Sequence, residues 1–279
     1  MCIRDRIRQK RIANLLLTLL LWILVLLIVV PMAMIVLNSV KSVNESAVMS
    51  LELPTSIHTE NFTQVLADKK IFRSFFNSIF LSVASATLSM LLSALAAFTL
   101  ARNRTKGNRI IYIVFLLGLV APVNYIMTVR VLQTLQLINT YLGAILLYTA
   151  QFIPFTVFIY YGFILDTPKT LDEAALIDGC GSVRMFFKVI FPLLKPVTST
   201  AMVLNLLNCW NDFIVPLYFL NSSQKWGMVM MMYNYFSKYV SSWNLVCAAM
   251  LVNVLPIVII YIAGQKYLVS GMTAGAVKG

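Results

Sequence analysis

The segment 13–37 carries no charged side chain, and a helix that crosses a bilayer needs about 20 predominantly apolar residues. A chain with such a run must bury it entirely or place it in lipid. Secretory leaders have an apolar core of only about 7–15 residues ahead of a small-residue cleavage site. This run is longer, lacks such a site, and follows a basic stretch over residues 4–11. It predicts an uncleaved first span. The opening six residues differ in composition from the rest and carry little of the argument.

Five further windows of the same kind follow, at 76–100, 110–129, 141–165, 196–220 and 244–264. Gly118 and Pro122 interrupt the third, and Pro154 lies inside the fourth. Apolar residues run continuously rather than alternating, so these are helices and not barrel strands. Composition agrees: 60% of residues are hydrophobic and 11% charged, where a soluble domain carries roughly 25% charged. The expected fold is an all-α integral membrane protein of six transmembrane helices. Residues 1–75 form an N-terminal tail, the first span and a polar external loop (38–75), residues 76–264 a core with spans two to six, and residues 265–279 a tail. No internal repeat or low-complexity segment is visible.

The net charge of +12 is explained by where the bases sit. Lys and Arg number 15 on the side holding both termini and the 101–109 and 166–195 loops, against 7 on the other side. The 101–109 loop has four bases and no acid. Basic loops stay cytoplasmic, so both termini are expected there, and binding to nucleic acid is not implied. Cys2, Cys180, Cys209 and Cys247 have neither metal-ligand spacing nor a disulfide pattern. His58, the one histidine, lies in a polar loop.

Residues 166–195 are too charged to span, with four acids and four bases, yet they are patterned as helix. Thr170, with Glu173 three residues on, reads as a capping box, and Pro168 favours a helix start. A short helix through Ala174, Ala175, Leu176 and Ile177 ends at Asp178 and Gly179, and Gly181 suits a second turn. Ser182 is placed to cap a second helix through Phe186, Phe187, Val189 and Ile190 that stops at Pro192. One reading is an amphipathic pair lying in the interface, with Phe186 and Phe187 in lipid. The other is a docking surface for a partner.

The spacing favours the second. Glu173-Ala174-Ala175, three positions, Gly179, nine positions, Val189, one position, Phe191-Pro192 resembles the EAA signature of ATP-binding-cassette (ABC) importer permeases, with Val189 and Phe191 as mild departures. Shorter stretches resemble the sugar-type branch, in particular the smaller permease of the maltose-type pair. They include Arg73 to Ser78, Ala96 to Arg102 with Gly107, Leu135 to Gly143, Trp210-Asn211-Asp212-Phe213 and the ending 271–279. The resemblance implies a coupling helix between spans four and five that docks on a separate ATP-hydrolysing subunit. The coupling residues would be Glu173, Ala174, Ala175, Asp178, Gly179, Val189 and Pro192. It also implies a second, homologous permease subunit, an external substrate-binding protein, a bacterial plasma membrane location, and a sugar, polyol or oligosaccharide as cargo. This chain would bind no cofactor; ATP and Mg would sit on the partner. Small Ala174 and Ala175 suit close backbone approach, and the carboxylates of Glu173 and Asp178 suit basic groups on a partner. Glu173 keeps its competing role as a cap.

Asp212 is the only carboxylate within an expected span, and intramembrane charges face a cavity or a partner. With Trp210 and Asn211, and with Asn124 and Asn208, it could line a sugar route; it could equally be a buried polar contact near the outer interface. No G-x-x-x-x-G-K-[ST] phosphate loop and no H-E-x-x-H occurs, so ATP hydrolysis and metalloprotease chemistry are not expected. The rival reading is a stand-alone secondary transporter or channel, which usually shows internal repeats and several intramembrane carboxylates.

Overall fold

The computed structural model describes the backbone of residues 3–239 and 242–276, and side chains between 14 and 266 except 234, 235, 238, 240 and 241. Cys2 and the last three residues of the 271–279 ending lie outside the described residues. Among the described residues there is no strand. The helices are α1 (Ile3–Ser39), α2 (Val43–Ser46), α3 (Glu60–Ala67), α4 (Lys69–Arg102), α5 (Lys106–Val120), α6 (Tyr125–Thr134) and α7 (Tyr141–Asp166). They continue as α8 (Thr170–Ile177), α9 (Ser182–Met185), α10 (Phe191–Leu193), α11 (Lys195–Asn211), α12 (Ile214–Phe219), α13 (Met228–Lys238) and α14 (Trp243–Ala276).

Among the described residues, four stretches are long and apolar enough to cross a membrane: Asn14–Ser39, Lys69–Arg102, Tyr141–Asp166 and Trp243–Lys266. Two bent pairs raise the number to six if each is one span. One pair is α5 with α6, bent by 119°, and the other joins Ser182–Leu193 to α11 at 76°. The window 110–129 is thus not one straight helix. Pro122 has no amide to continue α5, Ala121 turns extended, and the Asn124 side chain accepts from Met127 N at 3.1 Å to start α6 afresh. The window 196–220 also divides, because Asp212 is extended (ψ 131°) and α12 begins beyond it.

The chain forms two compact units, Met1–Asp68 with Asn234–Val252 and Lys69–Tyr233 with Asn253–Gly279. In the first, residues 14–32 of the apolar helix are all exposed, so this helix depends on surroundings that are themselves apolar. The polar end of that unit is cross-linked internally. Buried Lys41 donates to the Ser50 carbonyl at 2.9 Å, Asn61 donates to the carbonyls of Ser39 and Lys41, and Asn244 donates to Asn61 at 2.7 Å.

In the second unit α4 and α7 pack together along much of their length, with α11 against both. The α4 face is built from Ser78, Ser82, Ser85, Ser89 and Ser93, all buried; small side chains let helices approach in a bilayer, where packing replaces the hydrophobic effect. Polar bridges cross between helices: Tyr160 donates to Thr198 at 2.9 Å and Asn205 to Thr156 at 3.2 Å. α7 opens with Thr140 accepting from Gly143 N at 3.0 Å. A Cβ at Gly143 would stand 2.1 Å from the Leu137 carbonyl oxygen, so only glycine fits this turn. Two apolar clusters result. One joins Ala97, Leu100, Tyr160, Ile164, Phe186 and Ile190; the other joins Leu81, Leu147, Tyr148, Phe152, Val215 and Phe219.

Candidate functional site

The first helix of the elbow between α7 and α11 begins one residue earlier than its sequence suggests, with Lys169 and not Thr170 at the N-cap. Lys169 is already helical, and the amides of Asp172 and Glu173 bond to its carbonyl at 2.9 and 3.1 Å. Thr170 therefore sits inside the first turn, where its side chain cannot cap, and the expected Thr170–Glu173 capping box is absent. Pro168, whose fixed φ suits a first turn, carries the helical geometry back past Thr170. The Glu173 side chain is consequently unused locally: it is exposed, with no side-chain hydrogen bond or ion pair among the described residues.

The end of α8 matches its reading. Gly179 adopts φ +75°, Cys180 N bonds to the Ala175 carbonyl at 2.9 Å and Gly179 N to Leu176 at 3.0 Å. This is the double-bonded glycine turn that stops a helix. Ala174, Asp178 and Gly179 are exposed and Ala175 is buried. Between the two acids, Leu176 and Ile177 project outward, Ile177 at 86% exposure, and Val183 follows beyond the turn. One face of α8 thus offers apolar side chains flanked by carboxylates that make no ion pair among the described residues.

The second arm differs from expectation in its cap and its end. Gly181, not Ser182, precedes α9, and no side chain caps it. The arm does not stop at Pro192 either. Residues Phe186–Ile190 form a π-helical turn, with Phe191 N bonding to the Phe186 carbonyl, and Pro192 lies within α10. The wider turn relieves the ladder where proline brings no amide. It also rotates Phe186 and Ile190 into the cluster with α4 and α7. Phe186 is buried and Phe98 packs on it at 5.5 Å, whereas Phe187 is exposed. Of the two phenylalanines read as interfacial, Phe186 is therefore an internal anchor. Val189 is half-buried and Pro192 exposed.

What the sequence reading missed is how the other arm is held. Arg102, the last residue of α4, sets Nη2 3.2 Å from Asp172 Oδ1 and Nε 2.5 Å from Oδ2. Its Nη1 donates to the Ile164 and Thr167 carbonyls at 3.0 and 3.2 Å. The guanidinium thus satisfies the open carbonyls at the end of α7 and the carboxylate of α8 together, with side-chain exposures of only 10% and 13% for the pair. The Nη2 contact is a hydrogen bond and the Nε approach a close charge contact, and the two together set the orientation of the pair. The one available signal was Arg102 itself, a base in a loop without acids; only the packing of α4 on α7 brings Asp172 to it.

The expected substrate-route residues separate into two kinds. The Asp212 carboxylate accepts from Val215 N at 2.8 Å, Ile214 N at 3.2 Å and the Tyr148 hydroxyl at 2.9 Å, so it starts α12 and fixes it to α7. Asn124 starts α6 in the same way. Trp210 is 3% exposed and meets Phe75 edge-on at 6.0 Å. Asn208 and Asn211 are exposed, three residues apart on α11. Cys180, Cys209 and Cys247 are free thiols, and no cluster of metal-ligating side chains occurs among the described residues.

A multi-helix membrane protein with a structured polar elbow is what this architecture defines. The chain belongs to the family described as binding-protein-dependent transport system inner membrane component, whose model matches residues 89–274. It is 35% identical over 229 residues to the melibiose/raffinose/stachyose import permease protein MelC of Bacillus subtilis (strain 168), covering 81% of this chain and 83% of that protein. It is 33% identical over 272 residues to the probable starch degradation products transport system permease protein AmyC of Thermoanaerobacterium thermosulfurigenes, covering 97% and 99%. The fold resembles a chain in the crystal structure of a bacterial ABC transporter involved in the import of the acidic polysaccharide alginate, with a TM-score of 0.81 at 22% identity, covering 93% of this chain and 98% of that one. The chain is accordingly a membrane permease subunit of an ABC importer and does no chemistry itself; ATP hydrolysis belongs to a separate chain. The stand-alone transporter reading falls with that membership.

Proposed function

We propose that this permease imports a sugar or oligosaccharide handed to it by an external binding protein, paired with a second homologous permease and driven by two ATP-hydrolysing subunits. The names of its relatives support the cargo: melibiose, raffinose and stachyose for one, starch degradation products for another. A structure with a TM-score of 0.67 to this chain contains an alginate transporter with a pentasaccharide-bound periplasmic protein, which supports delivery from outside. The loop charges support a six-span topology with both termini cytoplasmic, each bent pair counting as one span.

In this reading α8 is the coupling helix. The observation that carries it is the exposed face from Glu173 to Asp178, set on a base that is itself buried. Ion pairs from Glu173 and Asp178 and contacts from Leu176 and Ile177 would seat it on the ATPase. ATP binding closes the ATPase pair and displaces α8. Arg102 ties α8 to the ends of α4 and α7, and Phe186 and Ile190 tie the other arm to the same helices, so both arms move the spans together. Asp212 and Asn124 hold the breaks that shape the route, and Asn208 and Asn211 meet sugar hydroxyls along it.

Glu173→Lys tests the coupling role. The variant is expected to insert normally and to lose sugar uptake, with ATP hydrolysis no longer stimulated by the loaded binding protein. Normal uptake with unchanged ATP use would remove Glu173 from the mechanism.

A further inference from the structure

A cleft of about 640 Å³ opens where the loop after α4 meets α5 and α7. Arg104, Lys106 and Arg109 line it at the start of α5, and Ile113 and Leu116 line it further along the same helix, with Leu100 and Leu165 from the ends of α4 and α7. Arg102, the fourth base of this loop, is engaged with Asp172. The other three make no ion pair among the described residues, and all three are exposed. They surround the start of α5, where the helix dipole adds further positive potential. Tyr112 and Tyr161 stack at 3.8 Å and 22° and form part of the wall.

A site for a small free anion needs cations and donors on all sides. Here the cations lie at one end only, and the walls become aliphatic within about two turns of α5, roughly 10 Å. Beside the cleft, Ile110, Val114 and Leu117 are exposed at 63%, 59% and 62%, so its flank is open to hydrocarbon. Charge at one end and apolar walls continuing toward the bilayer interior match an anionic headgroup with an acyl chain below it; basic pockets between spans on the cytoplasmic side are where such headgroups are held. We propose that this cleft binds an anionic phospholipid, its phosphate among Arg104, Lys106 and Arg109 and an acyl chain along Ile113, Leu116 and Leu165. The inference concerns a face separate from the α8 surface and from Asn208 and Asn211, and stands whatever the sugar is.

The test uses the complete transporter reconstituted in vesicles of palmitoyl-oleoyl phosphatidylcholine with one fifth palmitoyl-oleoyl phosphatidylglycerol, then extracted gently and weighed by native mass spectrometry. The wild type is expected to retain phosphatidylglycerol in preference to phosphatidylcholine. Retention should fall about fivefold for each cation removed, the effect of roughly one basic residue at a charged surface, in Lys106→Gln and again in Arg104→Gln/Lys106→Gln/Arg109→Gln. Because the triple variant also weakens the orientation signal, Ile113→Trp provides a second arm: it keeps every charge, fills the apolar part of the cleft, and should also release the lipid. Inorganic phosphate at millimolar concentration should not displace the lipid. Equal retention of the two lipids by the wild type, unchanged retention in Lys106→Gln and Ile113→Trp, or full displacement by phosphate would each overturn the assignment.

Discussion

Arg102 and Asp172, 70 positions apart, form the joint at which α4, α7 and α8 meet. The pair is almost closed to solvent, and the same guanidinium also caps the last carbonyls of α7. A force applied to α8 would therefore reach α4 and α7 through one planar group.

Removing one partner leaves the other charge buried and alone, which typically costs about 3 kcal/mol. Arg102→Met should lower the melting temperature of the purified transporter and uncouple it. Asp172→Asn keeps a weaker acceptor; it should lose coupling more than stability, seen as basal ATP hydrolysis without uptake. Arg102→Lys holds a charge but not the two-point geometry, so it is expected to behave like Asp172→Asn. Wild-type coupling in all three would separate the joint from transport.

At Gly179 the left-handed φ of +75° disfavours any side chain, although a Cβ there meets nothing within 4 Å. Gly179→Ala should thus cost about 1 kcal/mol through backbone strain alone. The expected phenotype is reduced stimulation of the ATPase with nearly unchanged melting, because the strain is absorbed by unwinding the end of α8. A larger melting loss than Arg102→Met would show that the turn supports the fold as a whole.

Asp212 works in the structure as a helix cap, and Asn caps about as well as Asp. Asp212→Asn should retain stability and sugar uptake, while Asp212→Ala should lose about 1 kcal/mol and detach α12 from Tyr148. If Asp212→Asn melts normally but fails to transport, its charge serves the cargo directly.

Outside the membrane, Glu45 accepts from the Thr55 hydroxyl, from Ser42 N at 3.2 Å and from Thr55 N at 3.2 Å. These bonds, the Thr55 hydroxyl first, hold its carboxyl down at about 2 from an ordinary 4.5. A carboxylate with a lowered folded pKa stabilises its loop fully above the unfolded value and loses that contribution as the pH falls. Hydrogen exchange at Thr55 N, corrected for the intrinsic rate, should be protected at pH 6 and lose protection progressively from about pH 4.5 toward 2. Glu45→Gln should abolish that dependence; a flat wild-type profile would refute the assignment.

Much of this was legible from the chain because bilayer physics simplifies it. Long uncharged runs gave α1, α4, α7 and α14, and Gly179 gave the turn, since glycine is the residue that such a φ admits. Local rules failed where two of them competed. Thr170 looked like a cap, but Pro168 and Lys169 had already begun the helix. The window 196–220 looked continuous because its residues are apolar, yet the carboxylate of Asp212 found the amides of α12 and ended α11. The Arg102–Asp172 joint was out of reach for a different reason: Arg102 stood out only as a base in a loop without acids, nothing local pointed to Asp172, and their meeting depends on how α4 and α7 pack.

The most direct test of the account places a cysteine at Ile177, the most exposed apolar side chain of α8, and joins it by a short bifunctional reagent to the ATPase subunit in membranes. Ile177→Cys should give a cross-linked permease–ATPase band in high yield from the cytoplasmic side, with a yield that changes when ATP is bound. Labelling of that cysteine by an impermeant reagent from outside the cell, with no cross-link, would contradict it.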